Sequence, residues 1–243
     1  MRTQTFYNSR NLVIWDRDYS PTRGASLWET CPIHAINQDP LVGHVFFDDF
    51  HDFKLSGTDI GWTRTATGAG TSVISDAACG VLLNTNAAAD NDMIQIQWNS
   101  EIFLPAASKP LWFEARVKVS DATQSDMYVG LAVLDTSIVV SEPSDGIWWR
   151  KNDGDALLDF ATVGTSTETA STSQGTLVDD TWVRLGFFHN GNGSVYSYIN
   201  GVLKATHTTN IPATELTPSF AIQNGEGVAK TGSVDYIKVV QIR

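Results

Sequence analysis

The stretch "WVRLGFFHNGNGSVYSYINGVLKATH", Trp182 to His207, decides how the chain is to be read. Val183, Leu185 and Phe187 alternate with Trp182, Arg184, Gly186 and Phe188, the period of two that marks a strand with unlike faces. Asn190-Gly191 and Asn192-Gly193 follow, and Asn and Gly are the residues that accept the positive φ of tight hairpin turns. "SVYSYI" returns, Asn200-Gly201 turns again, and "VLKATH" makes a third strand. The segment is an antiparallel meander.

The same pattern extends outward. In "LWFEARVKV" (111–119), Leu111, Phe113, Ala115, Val117 and Val119 share one face, and Trp112, Glu114, Arg116 and Lys118 share the other. That is a half-buried strand with Glu114 beside Arg116 and Lys118 on the solvent side. "DMIQIQW" (92–98) and "VDYIKVVQI" (234–242) alternate likewise, and "GIWWRKNDGDALLDFATV" (146–163) reads as two strands about Asp153-Gly154. Further strands are expected at 43–49, 61–66, 71–75, 79–84, 127–134 and 218–223. About a dozen short strands and no amphipathic helix predict an all-β, two-sheet antiparallel sandwich.

Residues 1–42 break the pattern. Pro21, Gly24, Pro32 and Pro40 interrupt them, yet they carry Phe6, Tyr7, Trp15, Tyr19 and Trp28. Disordered tails are poor in aromatics, so these side chains are expected to be covered, either by the chain's own domain or by a partner. The division is an extended N-terminal arm, 1–42, and a sandwich, 43–243.

Charge excludes one function class. The 243 residues carry a formal charge of −11. Residues 1–42 balance four arginines against four acids, so the sandwich carries the whole excess. Without a basic stripe to displace phosphate counterions, nucleic acid is not an expected partner. No secretory signal and no membrane helix are legible, so Cys31 and Cys79 are expected as buried free thiols, with a single disulfide between them as the alternative.

From Val45 to Arg243 the chain resembles the laminin G-like, concanavalin A-like jelly-roll family. The resemblance rests on "VFFDDFHDF", "LWFEARVKVSD", "MYVGLAVLD", "DGIWWRKNDGD", "DTWVRLGFFHNGNGSVYSYINGVLKAT" and "VDYIKVVQIR". It implies a jelly roll whose last strand closes beside its first. An unsignalled arm before such a domain resembles bacteriophage head decoration (cement) or fibre proteins. That implies a non-enzymatic virion protein assembled in the host cytoplasm and anchored by Phe6, Tyr7, Trp15, Tyr19 and Trp28 on a major capsid protein lattice. Self-association as a homo-oligomer, a trimer for three-fold lattice sites, is expected with it. The alternative is a carbohydrate-binding module or tail-fibre adhesin recognising host-surface glycans.

Chemistry is sparse. Glycosidases of this fold carry Glu-x-Asp-x-x-Glu on one strand, and the motif is absent here, so no enzyme is expected. The neighbouring first and last strands that the resemblance implies place Asp235 near Asp48 and Asp49, a set of oxygens suited to Ca²⁺. Against it, acids at strand ends usually cap backbone amides. No other cofactor is indicated: "NDGD" (152–155) and "ADNDM" (89–93) read as turns, and the five histidines show no metal-ligand spacing. Trp148 and Trp149 are adjacent in a strand and so point to opposite faces. One belongs to the core. Trp149, Tyr196 and Tyr198 are the candidate platform for a sugar ring; outward aromatics equally pair across strands or fill subunit interfaces.

Overall fold

The meander forms as its turns dictate. In the computed structural model, which describes residues 27–53, 61–75 and 79–243, β11 (Val183–His189), β12 (Val195–Ile199) and β13 (Val202–His207) pair antiparallel in that order. Asn200 and Gly201 hold φ of 52° and 80°, the left-handed pair that matches the twist of a two-residue hairpin. The longer turn is held by Asn190, whose Oδ1 accepts the N–H groups of Asn192 and Ser194 at 2.7 and 3.1 Å.

Two sheets follow. The first adds β6 (Leu111–Val119) and β15 (Thr231–Ile242) beside β11. Along its far edge β15 pairs with both β1 (Gly43–Asp48) and β4 (Leu82–Thr85), and β3 (Thr71–Ile74) lies outside β4. The first described strand is thus bonded to the last, with Asp48 opposite Ile237. The second sheet runs β10 (Thr167–Thr176), β9 (Leu157–Gly164), β8 (Gly146–Lys151), β7 (Ser125–Ala132), β14 (Thr217–Asn224), β5 (Met93–Trp98) and β2 (Trp62–Thr67). The result is the expected all-β jelly-roll sandwich.

Period two puts alternate side chains between the sheets. Phe113 stacks on Phe187 with ring centroids 4.8 Å apart, and Phe160 joins them at 6.1 Å. Trp149 lies against Phe160 and donates its indole N–H to the Gly186 carbonyl at 3.1 Å, tying β8 to β11 across the core.

The outer face of the first sheet is covered by the chain's own N-terminal side. Residues 27–42 cross it, carrying a short helix α1 (Ile33–Gln38) that the broken periodicity did not reveal. Leu27 and Ile36 bury themselves among Trp112, Tyr198 and Val240. Leu27 fits a notch at Gly186, where any Cβ would stand 2.4 Å from its Cδ2. The expected solvent-side charge pair is therefore corrected: Glu114 is buried, accepts the Tyr236 hydroxyl at 2.7 Å, and stands 3.9 Å from Arg184. Cys31 is half-buried, which pushes its thiol up to about 12, whereas Cys79 is exposed rather than buried. β10 was also unforeseen, because an edge strand of Thr and Ser with two solvated faces shows no hydrophobic alternation.

Candidate functional site

The sequence-derived calcium set does not converge. Asp48 points inward on β1 and is spent on local bonds: its oxygens accept the Phe50 N–H at 2.8 Å and the Trp62 indole N–H at 2.7 Å. Asp49 stands 3.6 Å from His51. Asp235 sits where the β15 register shifts and pairs with Arg116 on the outer face. Among the described residues no three His, Cys, Asp or Glu side chains gather as a metal site.

The aromatic platform is corrected as well. Trp149 is 0% exposed, between the sheets, while Tyr198 is 8% exposed beneath residues 27–42 on the outer face of the first sheet. Tyr196 shares that face and lies 6.0 Å from Phe188. Trp149 points into the core from the second sheet and both tyrosines point outward from the first, so the three share no surface. Of the anchor residues, Phe6, Tyr7, Trp15 and Tyr19 lie outside the described residues. Trp28 packs on its own chain, with Lys238 Nζ 4.4 Å from its ring centroid.

Among the described residues, a concavity with chemical character lies instead on the outer face of the second sheet. A groove of about 500 Å³ runs beside β2 and β5, lined by Thr63, Thr65, Gln95, Gln97, Asn99, Leu134, Asp135 and Thr136. Its lining side chains are mostly Thr, Gln and Asn, with Leu134 beside them and Asp135 the single acidic residue. One wall is the β7–β8 loop, residues 133–145, whose first half is a strap across the sheet. The strap is pinned by two glutamines that alternate with Ile on β5. Gln97 Oε1 accepts the Asp135 N–H at 2.9 Å, and its Nε2 donates to the Val133 carbonyl and to Ser219 Oγ. Gln95 Oε1 accepts the Ile138 N–H at 2.9 Å, and its Nε2 donates to the Asp135 carbonyl.

Beyond the groove the strap lies over Trp148 and Tyr128, whose centroids are 4.9 Å apart. The outward member of the Trp pair is thus Trp148, and Ile138 covers it. Gly146 leaves room for its indole, since a Cβ there would stand 2.6 Å from the ring's Cζ3, and Gly130 lets β7 approach the Trp148 backbone. Two residues on, Arg150 grips Glu168 through both terminal nitrogens at 2.6 and 3.0 Å, and also holds Glu142 at the strap's end. Burial lifts the Glu142 carboxyl above its ordinary range; Arg150 opposes the shift and Glu168 adds to it. Burial likewise raises the Tyr128 phenol far above its usual value. The sequence signal for this surface was the Gln-Ile-Gln alternation, which also reads as an ordinary wet strand face.

Comparison with known proteins places the chain. Residues 78–242 match the family model described as the SO2946-like, C-terminal domain, and the chain belongs to that family. No curated protein sequence matches it. Among solved structures it resembles the protein of unknown function SO2946 from Shewanella oneidensis MR-1, at 15% identity and TM-score 0.59 over 97% of each chain. It also resembles the β-glucanase of Bacillus licheniformis, at 14% identity and TM-score 0.57, covering 81% of this chain and 98% of that one. Peanut lectin aligns at 10% identity and TM-score 0.53, over 82% and 97% respectively. At such identities the likeness is one of fold.

Proposed function

We propose that this chain is a non-hydrolytic jelly-roll module that recognises neutral glycans along the outer face of its second sheet. The observation that carries the reading is the groove of about 500 Å³, whose lining sets the Thr63, Thr65 and Thr136 hydroxyls along a concave row above the buried, strap-bonded Gln95 and Gln97. Such groups exchange hydrogen bonds with sugar hydroxyls while the walls exclude water. Retaining or inverting hydrolysis needs two carboxyls facing the scissile bond, and among the described residues Asp135 stands alone in the groove lining. Sugar-directed relatives in fold, the glucanase and the lectin, are consistent with this surface, though they carry no residue roles across. Calorimetric titration of the full chain with neutral hexasaccharides, run beside a reducing-sugar release assay, tests both halves. Binding without release is expected; release of reducing ends would overturn the non-hydrolytic assignment, and absence of any binding would overturn the glycan assignment.

A second reading, a virion decoration protein carried by its N-terminal segment, is favoured by a different observation. Leu41, just before β1, is 82% exposed, and Phe47 on β1 is 56% exposed, leaving apolar side chains in solvent beside the covered face of the first sheet. Exposed apolar residues at the root of an aromatic-rich arm fit attachment to a capsid lattice or to sister subunits. Light scattering of the full chain against one beginning at residue 27 tests it. An oligomer, trimeric on the lattice argument, that falls to monomers on truncation supports this reading; identical monomers refute it.

A further inference from the structure

Three buried polar atoms under the strap have no hydrogen-bond partner: Tyr128 Oη, Trp148 Nε1 and Arg150 Nε. They belong to one patch. Tyr128 and Arg150 are cross-strand partners, and Trp148 and Arg150 lie two apart on β8, facing the same side. Buried polar groups are normally satisfied, so three orphans side by side need a physical explanation. The cover above them is thin. Ile138 is the strap's one fully buried apolar side chain over this patch, while Leu134 and Val140 on either side of it are exposed. Val139 packs partly buried on the same cluster, and the strap's polar ties are the two glutamines, the Leu134 N–H on Glu101 Oε1 at 2.6 Å and the Glu142–Arg150 contact.

We propose that residues 134–142 form a lid over a second, preformed part of the binding surface, with Tyr128, Trp148 and Arg150 as its floor. This inference rests on the glycan reading and extends it. Lifting the lid joins the open groove to this floor, making one cleft across β2, β5, β14, β7 and β8. The indole and phenol faces then stack on a sugar ring, and the orphaned N–H and O–H groups bond to its hydroxyls. The ligand class follows from charge. On the floor Glu168 and Asp159 flank the single cation Arg150, with Asp159 Oδ2 4.0 Å from its Nε, and Glu142 at the lid's end adds a third carboxylate beside it. Uronic or sulfated sugars are repelled by that excess, and neutral oligosaccharides are admitted.

A lid that must open first lowers the apparent affinity by the fraction of molecules open. Ile138→Ala removes the plug, so it should tighten binding of a neutral β-glucan hexasaccharide several-fold. Trp148→Phe keeps a ring but removes the indole N–H, and should weaken binding about fivefold, the worth of one neutral hydrogen bond. Hydrogen exchange of the full chain should show amides 134–142 exchanging faster than β7 and β8 beneath them, with the hexasaccharide slowing β8. Hexasaccharide bound at wild-type affinity by both variants, with strap exchange as slow as the strands, overturns the lid while leaving glycan recognition at the groove. Fast strap exchange with no affinity for any neutral hexasaccharide overturns the ligand assignment and the glycan reading together. A uronic hexasaccharide bound as tightly as a neutral one overturns the charge argument.

Discussion

Leu27→Ala tests whether residues 27–42 are part of the folding unit or a detachable arm. Leu27 is 2% exposed and occupies the notch that Gly186 leaves open on β11. The notch is bounded by the β11 and β6 backbone, with the Phe113 carbonyl 2.8 Å from where a Gly186 Cβ would stand, so its walls belong to paired strands that have little freedom to collapse. Truncating a Leu at a site that cannot relax costs about 3 kcal/mol, within the observed range of roughly 2–5. With a urea dependence of about 2–3 kcal/mol per molar for a domain of this size, the unfolding midpoint should fall by about 1 M at unchanged slope. Tryptophan fluorescence through a urea titration reads the midpoint, and hydrogen exchange of residues 27–38 reads the segment itself. An unmoved midpoint with fast exchange confined to 27–38 would show that the segment docks and leaves independently of the sandwich, and the argument from its packing would fail.

Trp149→Phe should destabilise the fold by about 2–3 kcal/mol, since it removes the bond to the Gly186 carbonyl and leaves a void between the sheets, yet it should not change sugar affinity; a selective loss of affinity in calorimetry would restore Trp149 to the binding surface. Burial lowers the imidazole pKa of His44, His189 and His207. The unfolded chain then takes up protons first, so stability is full above about pH 6.5 and drains as pH falls through the lowered folded values. Tm measured from pH 8 to pH 5 should fall on the acid side, and a flat profile would contradict the burial argument. Because Asp48 and Asp235 are engaged by Trp62 and Arg116, EDTA should leave Tm within about 1 °C; a larger drop would reveal a stabilising cation.

How much was legible depended on whether a residue's fate was set by its neighbours in sequence. Alternation in "LWFEARVKV" and the Asn-Gly turns of 190–201 each act within a few residues, and the strands and hairpins they predict are present. β10 escaped because a strand solvated on both faces need not alternate, and α1 because six residues held by tertiary contact need no periodicity of their own. Side-chain roles were less legible than strands. Period two announces that Trp148 and Trp149 face opposite ways, but not which face is core; register against β9, with Trp149 opposite Phe160, settles that. The same alternation in "MIQIQW" shows Gln95 and Gln97 sharing a face, while their employment depends on a loop some 40 residues later.

By itself, then, the sequence determined the class of fold, its hairpins and its acidic net charge, since these follow from local periodicity, turn chemistry and summed charge. Tertiary structure alone decided where the aromatic and acidic residues act. Long-range pairing turned Asp235 toward Arg116 and away from Asp48, laid Leu27 into the gap at Gly186, and drew the strap over Tyr128, Trp148 and Arg150. Each of those outcomes joins residues far apart in the chain, and no local pattern encodes which distant strand becomes a neighbour.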